Sequence, residues 1–398
     1  MNAMSIHHLT FVSLVTAVGA SCVLLPSAAQ SEEDRNYEIH GFISQGYAKS
    51  TPGSGFPVGN SGESGGSFNF NDMALNVVNQ VSPNLRVGIQ LFAQDRGVYG
   101  HDHIQVDWAF GDYRVADWLG IRAGKIKIPN GLYNTSRDND ALRTAIFLPQ
   151  GIYSDLYRDL SSAMLGAGLY GSTTGSLGTL RYEMYAGTLP FTTDSALAEA
   201  FGSVSAHAGP SQSAGLTWEP PLPGLRASLT TVRTSAYGVW TFGQNMPQAP
   251  WSLKKFRMNV ASLEYAPNRM TLAAEYALIS FDLSLGPYLP TTIWPGRSWY
   301  LSAAYRTNDW LEIGAYYNGY CSDRHACDGS THLEHGVPSK SGMYQNDAAL
   351  TVRLDITPGF VFKLEEHYIR GYTLNYLLPT ASSAPNWKMF AAKATYAF

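Results

Sequence analysis

The residues best suited to chemistry lie in one stretch, Ile128 to Leu160. Arg137, Asp138, Asp140, Arg143, Asp155, Arg158 and Asp159 flank an apolar middle, Ile146-Phe147-Leu148-Pro149. Carboxylates and guanidinium groups opposed across a narrow, wet passage orient dipolar solutes and set ion preference, with no bond made or broken. The same groups can equally form a salt-bridge network that holds the segment in place, and one residue can serve both roles. A segment that merely waved in water would not need the apolar middle. One that folded back against a wall would pack that middle on it and turn its charges to the passage.

Other motifs point to chemistry and fail on context. Gly62-Glu63-Ser64-Gly65-Gly66 has the spacing of a nucleophile elbow, but it sits in a Gly/Ser-rich stretch rather than between a strand and a helix. Gly166 to Gly171 matches a dinucleotide fingerprint, yet no helix follows and no acidic partner stands at the required distance. His101-Asp102-His103 reads as a solvated loop tip. Cys321 and Cys327 lie six apart in a loop, with His325, His332 and His335 nearby. That spacing matches no zinc pattern, and in an oxidising compartment the expectation is a local disulfide, with no metal and no cofactor.

The compartment follows from the amino terminus. Leu9 to Pro26 is nearly all apolar or small, and Ser27-Ala28-Ala29 precedes Gln30 as a small-x-small cleavage site, so residues 1–29 read as a signal peptide and 30–398 as the mature domain. Beyond Gln30 no apolar run is long enough for a transmembrane helix. Only 15% of residues are charged, 13% are aromatic, and glycines number 38. Few charges with many aromatics and glycines suit an all-β chain with many turns and one apolar surface. The net charge of −4 and the lack of a Lys/Arg block argue against a nucleic-acid partner.

The elements that must position the charged stretch are strands. Phe390, Ala392, Ala394, Tyr396 and Phe398 alternate with Lys393 and Thr395; Leu85, Val87, Ile89 and Leu91 alternate with Arg86, Gly88 and Gln90. The same period of two recurs at Leu272–Leu278, Leu311–Tyr317 and Ala348–Leu354. Short connections at 82–84, 116–117, 171–178, 220–224, 267–268, 307–309 and 357–359 carry Pro, Gly, Asn or Asp. They intersperse with long ones near 49–66, 95–102, 128–161, 190–210, 235–254, 282–296, 320–343 and 371–385. Seven short turns and eight long loops require sixteen strands, the layout of a transmembrane antiparallel β-barrel. Trp108, Phe110, Trp118, Trp299, Trp310, Phe360 and Phe362 are expected in its interfacial girdles. Three places fit poorly: the apolar face switches between Val260 and Leu263, the face between Arg122 and Lys127 is unclear, and Glu366 falls on an outward face.

The opening strand Ile39 to Tyr47, the run Arg122 to Asn134, the RDND and LPQGIY segments and the terminal Phe398 resemble a proteobacterial family of outer-membrane porins. That resemblance implies a bacterial outer-membrane protein, a homo-trimer in lipid that passes small hydrophilic solutes and ions. It further implies that the third long loop folds into the lumen, with Asp138, Asp140, Arg143, Asp155, Arg158 and Asp159 forming a constriction. By alternation, Arg86, Arg122, Lys363 and Lys393 would face it from the pore wall. Two other readings stay open: a barrel hydrolase using Ser64, His101, Asp102 and His103 at the rim, and a non-conducting surface scaffold or adhesin.

Overall fold

A computed structural model describes residues 37–398 apart from 53, 55–56, 201, 242–247, 287–289 and 375–383. The expected signal peptide lies outside the described residues. From Tyr37 onward the chain is nearly all strand: β1 (Tyr37–Ser50), β2 (Asn71–Ser82), β3 (Leu85–Asp95), β4 (Gln105–Ala116), β5 (Leu119–Lys127), β6 (Ala163–Gly175), β7 (Gly178–Thr188), β8 (Ser203–Ala208), β9 (Pro210–Glu219), β10 (Leu225–Trp240), β11 (Ala249–Tyr265), β12 (Met270–Ser284), β13 (Thr292–Arg306), β14 (Leu311–Cys321), β15 (Tyr344–Thr357), β16 (Phe360–Gly371) and β17 (Asn386–Ala397). Every pairing is antiparallel and between neighbours. β8 and β9 both pair with β10 and are separated only at Gly209, so they form one wall strand with a break. The wall therefore has sixteen staves, as the turn-and-loop count requires.

The ring closes where β1 pairs with both β2 and β17. At that seam Gly41 and Phe398 exchange backbone hydrogen bonds of 3.0 Å in each direction. A Cβ on Gly41 would meet the Phe398 ring at 2.5 Å, so the terminal aromatic occupies the space that only glycine leaves. The period of two sorts side chains as expected. On β12, Leu272, Tyr276 and Leu278 are exposed while Ala273, Glu275 and Ala277 are buried. On β17, Phe390 and Tyr396 are exposed while Lys393 and Thr395 are buried. Large apolar side chains thus cover one face of the ring and polar ones much of the other. Among the described residues no helix is long and apolar enough to cross a membrane.

The connections differ from the sequence reading in four places. The stretch 171–178 is mostly strand: β6 runs on to Gly175 and β7 begins at Gly178, leaving a tight turn with Gly178 at φ 98°. β10 and β11 extend into 235–254, and β12 and β13 into 282–296. In 190–210 the wall strand resumes at Ser203. The cause is visible on the polar face of the long strands. There Ala236, Trp240, Trp251, Leu253, Phe256, Met258, Val260, Ile279 and Phe281 are buried in one apolar cluster with Leu148, Ile152, Leu156 and Leu160 of the long segment and Phe191 and Leu197 of the next connection. This cluster also explains the switch near Val260. β11 carries a bulge at Lys254–Lys255 and alternates without a break from Phe256 onward; that inner face is apolar toward the long loops and polar (Ser262, Glu264) toward the short turns.

Trp108 and Phe110 do not join a girdle. They stack on each other at 5.3 Å, and the guanidinium groups of Arg86 and Arg122 lie over the Phe110 ring at 5.5 and 5.1 Å. A bulge opposite Gln90/Leu91 shifts the register of β4, which places both Asp107 and Asp112 among buried residues despite their odd spacing. Trp118 and Trp310, by contrast, are among the exposed aromatics near the short turns. Glu366 falls on the outward side of β16, between the buried Glu365 and His367.

Candidate functional site

The segment between β5 and β6 is held by polar-face side chains from strands around the ring. Gly131 N–H donates to Thr230 on β10 at 3.0 Å, and Leu132 N–H to Glu275 on β12 at 2.8 Å. Glu275 also accepts from Tyr153 Oη, at 2.5 Å. Tyr133 Oη donates to Glu264 on β11 at 2.6 Å. Thr144 bonds Glu312 on β14. Arg353 on β15 donates to the carbonyls of Ala141 and Arg143 at 2.7 and 3.0 Å. Glu365 on β16 accepts the amides of Ile146 and Phe147 at 2.7 and 3.1 Å. His367 bridges Glu365 and Asp347, at 2.8 and 3.0 Å. The apolar middle divides: Phe147 stacks on Phe70 at 5.1 Å, while Leu148 enters the larger cluster.

The charges of the segment form two linked networks. In the first, Asp138 takes Lys127 Nζ at 2.6 Å and the Arg158 guanidinium; Asp107 on β4 takes the same two cations, each at 2.9 Å. In the second, Asp140 accepts from Thr395 Oγ1 at 2.8 Å and Lys363 Nζ on its backbone and carboxyl oxygens, while Lys393 Nζ lies 3.6 Å away. Lys393 also binds Asp72 at 2.7 Å, and Asp72 binds Arg96 at 2.9 Å. All these groups are buried or nearly so. Burial alone would raise the carboxyl of Asp138, yet Arg158 and Lys127 hold it well below the usual range. Asp140 is held down in the same way by Lys363 and Lys393 against its own burial. Burial pulls Arg158 down, but Asp138 and Asp107 outweigh it and keep its guanidinium firmly charged.

The remaining loop groups are held by the segment itself. Arg143 donates to the carbonyls of Arg137, Ala145 and Ile146 at 2.5, 3.2 and 2.9 Å. Asp155 pairs with Arg137 at 3.2 Å. Asp159 has no ion pair or side-chain hydrogen bond among the described residues. Of the four expected wall cations, Lys363 and Lys393 meet the loop charges. Arg86 and Arg122 do not: both bind Asp112, at 2.8 and 2.9 Å, away from the segment. Strand parity identified Arg86 and Arg122 as buried-face residues but not their shared carboxylate. Asp72, Arg96, Asp107, Lys127, Glu275, Asp347, Arg353, Glu365 and His367 complete the networks and were absent from the expected site. Glu275, Asp347 and Arg353 lie on the polar parity already visible in their strands. Asp107 was hidden by the β4 bulge.

Among the spaces that adjoin the segment, three are lined by its charged half. A crevice of about 20 Å³ lies among Asp72, Arg96, Arg137, Asp138, Arg143, Asp155 and Arg158. Toward the short turns are two larger chambers, about 590 Å³ beside Arg226, Arg306 and Glu312, and about 480 Å³ beside His40, Gln90 and Trp108. Ser136 and Leu142 line both chambers. In the outer loops Cys321 and Cys327 are joined as a disulfide. Ser64, His101, Asp102 and His103 are exposed, and among the described residues no hydrogen bond joins Ser64 to the other three.

No protein-family model and no curated protein matches the chain. Solved structures do. The anion-selective porin from Comamonas acidovorans superposes with a TM-score of 0.57 at 12% identity, covering 91% of this chain and 99% of that one. OmpF of Salmonella typhi, in complex with daunomycin, gives 0.57 at 13% identity over 91% and 97%. OmpT of Vibrio cholerae in a trimer form gives 0.53 at 9% identity over 91% and 99%. At such identities the likeness is one of fold: a closed, sixteen-stranded antiparallel barrel of the outer-membrane porin type.

Proposed function

We propose that this chain is an outer-membrane channel for small hydrophilic solutes and ions, exported by a cleaved leader at 1–29 and working as a homo-trimer. The observation that carries the reading is the attachment of one segment, by its charges and amides, to polar-face residues of β10–β12 and β14–β17. Sixteen staves enclose a space too wide to be filled by side chains alone. A segment tied to strands around that ring lies across the lumen and narrows it. The constriction is then the crevice between Arg96, Arg137, Arg143 and Arg158 on one hand and Asp72, Asp138 and Asp155 on the other.

In this reading most charges have a double role. Paired, they fix the segment; lining a narrow passage, they present a field to whatever crosses it. Arg137 supports the second role, because its Nη1 is buried beside the crevice with no hydrogen-bond partner among the described residues. The direct test is planar-bilayer recording with purified protein. Stepwise openings of small unitary conductance are expected. A protein that inserts yet passes no current would leave the scaffold reading in its place.

A further inference from the structure

The outward side of β11–β13, with Leu263, Tyr276, Trp299 and Leu301 at its rim, carries a groove of about 570 Å³. The cross-strand rows explain it. Ala274 stands between Leu263 and Leu301, and Ala261 stands opposite Tyr276, which in turn faces Trp299. Small side chains flanked by large ones leave a channel along the wall, wide enough for an extended hydrocarbon chain. Arg297 closes its end toward the long loops.

The Arg297 side chain has no ion pair or hydrogen bond among the described residues. It lies eight residues above the exposed Tyr305 on β13. At ~3.4 Å per residue and ~40° of tilt, that is a climb of roughly 20 Å, near the upper edge of an apolar band about 25 Å tall. Two and three strands away on the same outward side, the wall places Arg257 of β11 directly opposite Arg233 of β10, both exposed and neither with a carboxylate among the described residues. Like charges opposed across a strand pair disfavour each other, and an anion bound between them would offset that repulsion. Lys255 nearby is paired with Asp282 at 2.8 Å, whereas the exposed Lys254 and the three arginines have no ion pair among the described residues.

We propose that this face binds a phosphate-bearing lipid of the outer leaflet, with one acyl chain along Ala261 and Ala274 and the phosphate on Arg297, Arg257 and Arg233. The proposal rests on the barrel being membrane-embedded, and it is independent of whether the lumen conducts. The test uses the full-length protein in detergent, with native mass spectrometry counting retained phosphatidic acid, diacylglycerol of the same chains, or inorganic phosphate. Phosphatidic acid is expected to stay bound and diacylglycerol to be lost. Arg233→Gln/Arg257→Gln/Arg297→Gln should weaken retention by at least about tenfold, and Ala261→Trp, which fills the groove while keeping the arginines, should also weaken it. Unitary conductance should not change in either variant, which separates this site from the channel. Equal retention of diacylglycerol, displacement of the lipid by equimolar inorganic phosphate, or an Ala261→Trp variant that dissociates the oligomer yet keeps its lipid would each overturn the proposal.

Discussion

Asp140 shows how much depends on single residues in the segment between β5 and β6. It is fully buried, bound by Thr395 and Lys363, and 3.6 Å from Lys393. Removing one partner from a buried charge cluster leaves the others desolvated and uncompensated, at a cost of about 3–5 kcal/mol. Asp140→Asn should therefore lower the unfolding free energy in lipid vesicles by about that amount and make the open-channel current noisier. The pH dependence has a definite sign. Because the folded state holds the carboxyl below its ordinary value of 3.8, the stabilisation is complete above that value and is lost as pH falls below it toward the folded-state pKa. Unfolding midpoints measured from pH 7 to pH 4 should show no loss from this group; a decline should begin only in stronger acid. A steep loss between pH 7 and pH 5 would mean that the carboxyl is not held by the two lysines. The partners of Asp140 were half legible in the sequence. Alternation gives Lys363 and Lys393 their face, but no local signal says which loop residue, more than 200 positions earlier, they reach.

At the scale of elements, the wall was readable and the loop contacts were not. A strand's faces follow from a period of two, and a tight turn from its Pro, Gly, Asn or Asp; both are local. The upper reaches of β10–β13 were misread as loop because their buried face is apolar and their exposed face partly polar, with Ser235, Ser252 and Lys254 off the buried face. That inverts the pattern expected of a lipid-facing strand, and it makes sense only once Ile152, Leu156 and Phe191 are known to pack there. Glu275 is the hinge between this apolar packing and the polar anchoring. Its carboxylate accepts from Leu132 N–H, Tyr153 Oη and Ser262 Oγ, at 2.8, 2.5 and 2.5 Å. Glu275→Ala would leave these buried donors unpaired, at about 1–3 kcal/mol each where no water replaces the carboxylate. The expected result is a folded barrel with a loosened segment: faster proteolysis between Pro129 and Leu160 and a larger mean conductance than the parent. An unchanged proteolytic pattern would mean that the apolar cluster alone holds the segment.

At the scale of the whole molecule, the question is which ions such a barrel prefers, and overall charge is a poor guide. The chain carries a formal net charge of −4, which would suggest weak preference for cations. Selectivity, however, is set where the passage is narrowest, since field lines concentrate between close, low-dielectric walls and exposed charges are screened within about 8–10 Å. The crevice is lined by four arginines and three aspartates. Asp138 is further neutralised by Lys127 at 2.6 Å, and Asp72 by Lys393 at 2.7 Å. The local balance is therefore positive, opposite in sign to the molecule's total. Reversal potentials in a potassium chloride gradient should show a modest anion preference. Arg143→Gln removes a guanidinium that borders both the crevice and the larger chamber, so it should move the reversal potential toward cations and raise conductance as the segment slackens. If the parent channel prefers cations and Arg143→Gln leaves that preference unchanged, ions do not pass by this crevice, and the conducting path runs elsewhere around the segment.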